Sequence, residues 1–137
     1  MHVQEMIRSH PAVHGGEGAA LIRCIEACYD CAQTCTVCAD ACLGEEMVKD
    51  LVGCIRLDLD CADICATTGQ IASRRTGGDM SLLRRMIETC TEACRVCGDE
   101  CERHAERHEH CRICAESCRA CERACRDAAE GLATTLQ

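Results

Sequence analysis

CIEACYDCAQTCTVCADAC, residues Cys24 to Cys42, places six cysteines at positions 24, 28, 31, 35, 38 and 42, in steps of four, three, four, three and four. Positions three and four apart form one narrow stripe on an α-helix, the seam along which amphipathic helices pack. The stretch is therefore read as a helix whose inward stripe is made of thiols. At a rise of about 1.5 Å per residue the stripe runs for roughly 27 Å. A reduced cysteine is a small, readily buried hydrophobe, so these residues serve as core and offer ligands at the same time.

The same spacing recurs down the chain. A second seam is thinner, with Cys54, Cys61 and Cys65; a third runs Leu83, Ile87, Cys90, Cys94, Cys97 and Cys101; a fourth runs Cys111, Cys114, Cys118, Cys121 and Cys125, then Ala128 and Leu132. Four helices follow. The first runs from about Glu17 to Leu43 with Gly44 as its stop signal, and the second follows after a very short turn, as an antiparallel neighbour. SRRTGGD, Ser73 to Asp79, is a loop, with Asp79 placed to cap the third helix. No glycine or proline divides Cys101 from Cys111. A single helix from Ser81 to Gly131 would be about 76 Å long, too long for the remaining chain to cover. The alternation slips between His108, Cys111 and Cys114, and the turn is placed at Ala105 to His110.

The expected fold is all-α: an antiparallel up-down-up-down four-helix bundle over residues 17–137 with a cysteine-lined core. An N-terminal arm, residues 1–16, precedes it. His2 to Ser9 allow a short helix there, Pro11 interrupts it and Gly15-Gly16 marks the boundary. Met1, His2, Met6, His10 and His14 are scattered over this arm, which is read as solvated or docked on the surface.

Two features of the second helix stand apart. The step from Cys54 to Cys61 skips a stripe position, where either Asp58 or Leu57 falls. Because unpaired carboxylates are rarely buried, Leu57 is expected inside and Asp58 in water. Val48, Val52, Ile55, Leu59, Ala62 and Ala66 form a second apolar face, a candidate oligomer interface.

An internal repeat aligns CIEACYDCAQTC from Cys24 with CTEACRVCGDEC from Cys90. Continued, it sets His104 opposite Cys38 and His108 opposite Cys42, so both histidines are expected to point inward. In the bundle, Cys38, Cys42, Met47, His104, His108, His110 and Cys111 gather at one end, while Leu21, Ile71, Ala72, Leu83, Ile87 and Leu132 plug the other. Metal is expected to enter at the ligand-lined mouth. The spacing leaves open whether His110 and Met47 take part.

Composition narrows the chemistry. Leu, Ile, Val and Phe make up only roughly 17% of the 137 residues, and with a net charge of −8 that would suggest disorder. The eighteen cysteines supply the missing core. Tyr29 is the only aromatic residue, which with the acidic balance argues against a nucleic-acid partner. No stretch resembles a secretory signal or a membrane span, so a cytoplasmic location and a reducing environment are expected. Thiols three or four residues apart on a helix are too far apart to pair with each other, having Cβ atoms about 5 to 6 Å apart where a disulfide needs about 3.8 Å. A metal can bridge them.

Zinc and iron–sulfur sites take four ligands about a compact centre, whereas a ladder offers pairs. Pairs suit Cu(I), which thiolates select. If each copper takes two sulfurs and each sulfur bridges two coppers, capacity approaches one ion per cysteine, on the order of 18. Equal numbers of Cu⁺ and thiolate leave the core neutral. No Glu-x-x-His pair occurs and the stripes are expected to lack carboxylates, which argues against a di-iron bundle.

The cysteine ladder from about Glu17 to Gly131 resembles the copper storage proteins, specifically their cytosolic bacterial branch. That resemblance implies a homotetramer of four-helix bundles, a non-enzymatic role in storing or sequestering Cu(I), and a histidine-rich mouth matching His104, His108 and His110. A copper chaperone or a small-molecule thiol would load and unload the metal. A zinc-buffering bundle and a redox or iron–sulfur protein are the competing readings.

Overall fold

The computed structural model describes residues 1–13 and 18–136. His14, Gly15, Gly16 and Glu17 lie outside the described residues. A short helix, α1 (Val3–Ser9), precedes four long ones: α2 (Ala19–Leu43), α3 (Val52–Ser73), α4 (Met80–His104) and α5 (Glu109–Leu136). Both α2 and α4 pack on α3 and on α5, so α2 and α4 are diagonal across an antiparallel bundle. No strand occurs among the described residues.

The helix ends follow local chemistry. Asp79 caps α4 by accepting a hydrogen bond from the Leu82 N–H at 2.9 Å, satisfying one of the orphan donors at a helix start. Before it the loop needs a left-handed residue, and Gly77 supplies it with φ of 66°. At the end of α2, Gly44 stays right-handed with φ of −87°. That helix stops where expected, but without the left-handed glycine cap. The connection to α3 is also longer than a very short turn, because one turn of 3-10 helix, Val48–Leu51, comes first and buries Leu51 completely. Between α4 and α5 the chain turns over residues 105–108, inside the expected span.

Every one of the eighteen cysteines is buried, none more than 1% exposed. Aliphatic residues close the end opposite the mouth, where Leu21, Ile22, Ala72, Leu83, Ile87 and Leu132 are buried. Helix α1 buries Ile7 in this core, with Val3 and Val13 packed beside it. His10 accepts from the Ala12 N–H at 3.0 Å and meets Thr76 Oγ1 at 3.4 Å, in the loop at the closed end. Residues 1–13 of the arm are thus surface-docked at that end, with Met1 and Met6 in solvent.

One expectation is reversed. Asp58 is fully buried while Leu57 is only half-buried. The rotation of α3 that puts Cys54, Cys61 and Cys65 inward carries position 58 with them, because steps of four and three residues keep these positions along one stripe. Of the second apolar face, Ala62 is buried, whereas Val52 and Leu59 are 62% and 46% exposed.

Candidate metal centre

Sulfurs from different helices meet throughout the core. Nearest the closed end, Cys24 Sγ lies 3.6 Å from Cys125 Sγ, and Cys28 Sγ lies 3.7 Å from Cys125 and 3.8 Å from Cys90. Cys65 joins α3 to α4, 3.6 Å from both Cys90 and Cys94. Further along, Cys35 lies 3.6 Å from Cys114 and 3.8 Å from Cys118, and Cys54 lies 3.7 Å from Cys101. All eighteen thiols are free. These separations far exceed a disulfide bond of about 2.05 Å. Two metal–thiolate bonds of about 2.3 Å span at most about 4.6 Å, so an ion fits between neighbours with a small expansion of the core.

The ladder also holds more than pairs. Cys28, Cys90, Cys121 and Cys125 form one quartet with sulfurs all within 4.8 Å of one another. Cys31, Cys35, Cys61 and Cys118 form a second, Cys35, Cys97, Cys114 and Cys118 a third, and Cys38, Cys42, Cys54 and Cys111 a fourth. Each of these draws on three helices, and a further quartet, Cys31, Cys65, Cys94 and Cys121, takes one sulfur from each of the four; none was legible in the spacing of any one helix. They share members: Cys35 and Cys118 belong to both the second and the third. The arrangement is therefore a lattice in which neighbouring four-sulfur sets compete for shared members, whereas an isolated zinc ion or cluster has its four ligands to itself.

Ionisation in such a lattice is shared. Hydrogen bonding with Cys118 and Cys121 draws the Cys31 thiol down, while that with Cys114 and Cys118 pushes Cys35 up. Cys111, nearer the mouth, is pushed up to about 12 by burial and by the neighbouring Cys42 charge. A bound cation removes this conflict, because each thiolate then has a counter-charge.

Asp58 breaks the run of sulfur. Its Oδ1 accepts from Cys97 at 3.1 Å, Cys114 at 3.3 Å and Cys101 at 3.4 Å. Burial, and then the charge of Cys114, push its carboxyl up to about 7. The inward stripes therefore do carry one carboxylate. The signal was present in the sequence, since position 58 completes the four-three rhythm between Cys54 and Cys61.

At the mouth the three histidines have different roles. His110, in the first turn of α5, turns Nδ1 toward Cys38 Sγ at 3.4 Å and Cys111 Sγ at 3.6 Å. Its Nε2 bonds Glu45 Oε2 at 3.1 Å. His108 brings Nδ1 to 2.5 Å from the same oxygen, and the two imidazoles stack with centroids 5.5 Å apart. The two rings hold the Glu45 carboxyl below the usual carboxylate range, His110 most strongly. His104 is buried as the repeat implied, but Nε2 faces Glu100 Oε1 at 3.3 Å. Met47 is 60% exposed and does not join the group. Glu45 and Glu100 gave no sign in the sequence.

The family model for copper storage proteins matches residues 18–130. The chain belongs to the copper storage protein family. Ccsp, the copper storage protein from Streptomyces lividans, solved with 10 copper equivalents, is 52% identical with a TM-score of 0.91, over 94% of this chain and 98% of that one. The same relative with five coppers is described as cytosolic. Cu(I)-bound BsCsp3 of Bacillus subtilis is 40% identical with a TM-score of 0.69, over 77% of this chain and 94% of that one. YhjQ, an uncharacterized cysteine-rich protein of Bacillus subtilis (strain 168), is 42% identical over 92 residues, 67% of this chain and 80% of that one. The solved copper storage proteins among these share the helical fold of the present chain. Among the described residues, no helix is long and apolar enough to cross a membrane.

Proposed function

We propose that this chain is a cytoplasmic, high-capacity store for Cu(I), taking up ions without turnover and holding them on the thiolates of Cys24 to Cys125. The observation that carries this reading is the lattice of overlapping thiol quartets, contributed by four helices and sealed from water. Each incoming Cu⁺ replaces a thiol proton, which leaves to solvent, and forms bonds to sulfur in its place. A filled core then stays near neutral, where bare thiolates would carry a prohibitive desolvation cost.

The mouth at Cys38, Cys111 and His110 is the route of entry, because the opposite end is packed with aliphatic side chains and covered by α1. A Cu(I) chaperone or a small-molecule thiol is the donor and acceptor that fits such exchange. Four copies associate in this reading, with the exposed Val52 and Leu59 of α3 in the contact.

Anaerobic titration of Cu(I) into the reduced protein against a chromogenic chelator, with helicity followed by circular dichroism, tests it. Uptake approaching one ion per cysteine at constant helicity is the expected result. Saturation at a few ions would sink the storage reading. The quartets give zinc buffering a physical footing as a second reading, and Cu(I) failing to displace zinc from them would favour it.

A further inference from the structure

Glu45 lies in the turn after α2, 65 positions from His110 in sequence, yet its Oε2 is 3.1 Å from His110 Nε2. A carboxylate can only accept, so the ring nitrogen facing it carries the proton. That leaves Nδ1 of His110 as the acceptor, and Nδ1 is the nitrogen 3.4 Å from Cys38 Sγ and 3.6 Å from Cys111 Sγ. The second imidazole, His108, presses Nδ1 on the same oxygen from a stacked position, which keeps the carboxylate from swinging away. A metal-binding imidazole needs its lone pair on the nitrogen that faces the metal, and a carboxylate on the other nitrogen selects that tautomer and raises the basicity of the ligand.

We propose that Glu45 is the positioning residue of the mouth: it holds His110 in the Nε2–H tautomer, so that Nδ1 presents a lone pair to Cu(I) arriving at Cys38 and Cys111. This inference rests on the copper reading above. Glu45 touches neither thiol and is no ligand itself in this role. It acts through His110, and its effect falls on the first ions to enter while leaving the deep quartets alone. Placing the lone pair in advance spares each arriving ion a ring flip and a proton transfer.

The test uses the full chain, reduced and anaerobic, as wild type, Glu45→Ala and Glu45→Gln. Long-range ¹H–¹⁵N spectra of the metal-free protein read the His110 tautomer directly. Nε2–H is expected in wild type and in Glu45→Gln, whose amide oxygen still accepts, and a mixture of tautomers in Glu45→Ala. Transfer of the first equivalents of Cu(I) from its bicinchoninate complex should slow roughly tenfold in Glu45→Ala, with total capacity and helicity unchanged. Glu45→Gln should stay close to wild type. An unchanged His110 signal in Glu45→Ala overturns the inference alone, since that signal is read without metal. Equal slowing in both variants also overturns it, because charge attraction would then be the cause. Wild type failing to take Cu(I) overturns the copper reading and the inference with it.

Discussion

Asp58 Oδ1 accepts a hydrogen bond from Cys97 Sγ at 3.1 Å, joining α3 to α4 inside the sulfur ladder with no exposure to water. The same oxygen accepts from Cys101 and Cys114, so one carboxylate ties α3 to both α4 and α5. A thiol at this position would offer one weak acceptor; the carboxylate gathers three donors at a single oxygen.

Its ionisation gives the metal-free protein a defined pH response. The native carboxyl titrates at about 7, against about 3.9 in an unfolded chain. Below the unfolded value both states are protonated and the contribution of Asp58 is fully present. As pH rises through this window the unfolded state ionises first, and stability falls until pH passes about 7, beyond which it changes no further. Urea denaturation of reduced, metal-free Asp58→Asn should lack this component, so the variant gains on wild type between about pH 4 and 7. Parallel slopes would mean that Asp58 ionises normally in the fold.

Copper capacity should depend on a cysteine's place in the lattice. Cys35 belongs to at least two quartets, whereas Cys24 lies at the closed end against Cys125. Anaerobic titration should show Cys35→Ala losing about two ions and Cys24→Ala no more than about one. Each variant should cost the metal-free fold about 1 kcal/mol through the space left by the sulfur. Equal losses of copper would argue for independent sites.

Two helical glycines should respond oppositely to alanine. At Gly53 of α3, an added Cβ would meet nothing closer than Glu100 Oε1 at 3.8 Å. Gly53→Ala should therefore stabilise by about 0.5 kcal/mol. At Gly69 the Tyr29 ring lies 3.1 Å from the same point. Gly69→Ala should destabilise by about 1 kcal/mol, since the Tyr29 ring must shift in a packed seam. Thermal melts of the reduced protein decide it, and a stabilised Gly69→Ala would show the ring free to move.

Helix α1 has only seven residues, too few to persist without tertiary support. Its one buried side chain is Ile7. Ile7→Ala should abolish hydrogen-exchange protection over Val3–Ser9 while lowering that of α2 to α5 by no more than the fall in global stability, about 1 kcal/mol. Retained protection would mean that Val3 and Val13 suffice to dock the helix.

The four helices and the burial of all eighteen cysteines were legible in the spacing of the cysteines alone. Helical periodicity is a property of a single segment, and a stripe of thiols has one favourable place to go. The turn between α4 and α5 was legible for the same reason, since it lies where the rhythm slips at His108. Helix α3 was harder. Its three cysteines left Asp58 and Leu57 both near the stripe, and the sparing use of buried carboxylates pointed the wrong way. Packing against Cys97, Cys101 and Cys114, all on other helices, decided it, because those thiols supply the donors that make a buried carboxyl tolerable.

The amino-acid sequence by itself thus determined the bundle, its sulfur-lined interior and the end at which His104, His108 and His110 collect, all of them consequences of spacing within one helix at a time. Only the tertiary structure decided which sulfurs share a quartet, that Asp58 lies among them, and that Glu45 meets His110. Each of those is a contact between segments far apart in the chain. Its geometry depends on which helices are neighbours and how each is rotated about its axis, and those quantities are set by the packing of all four together.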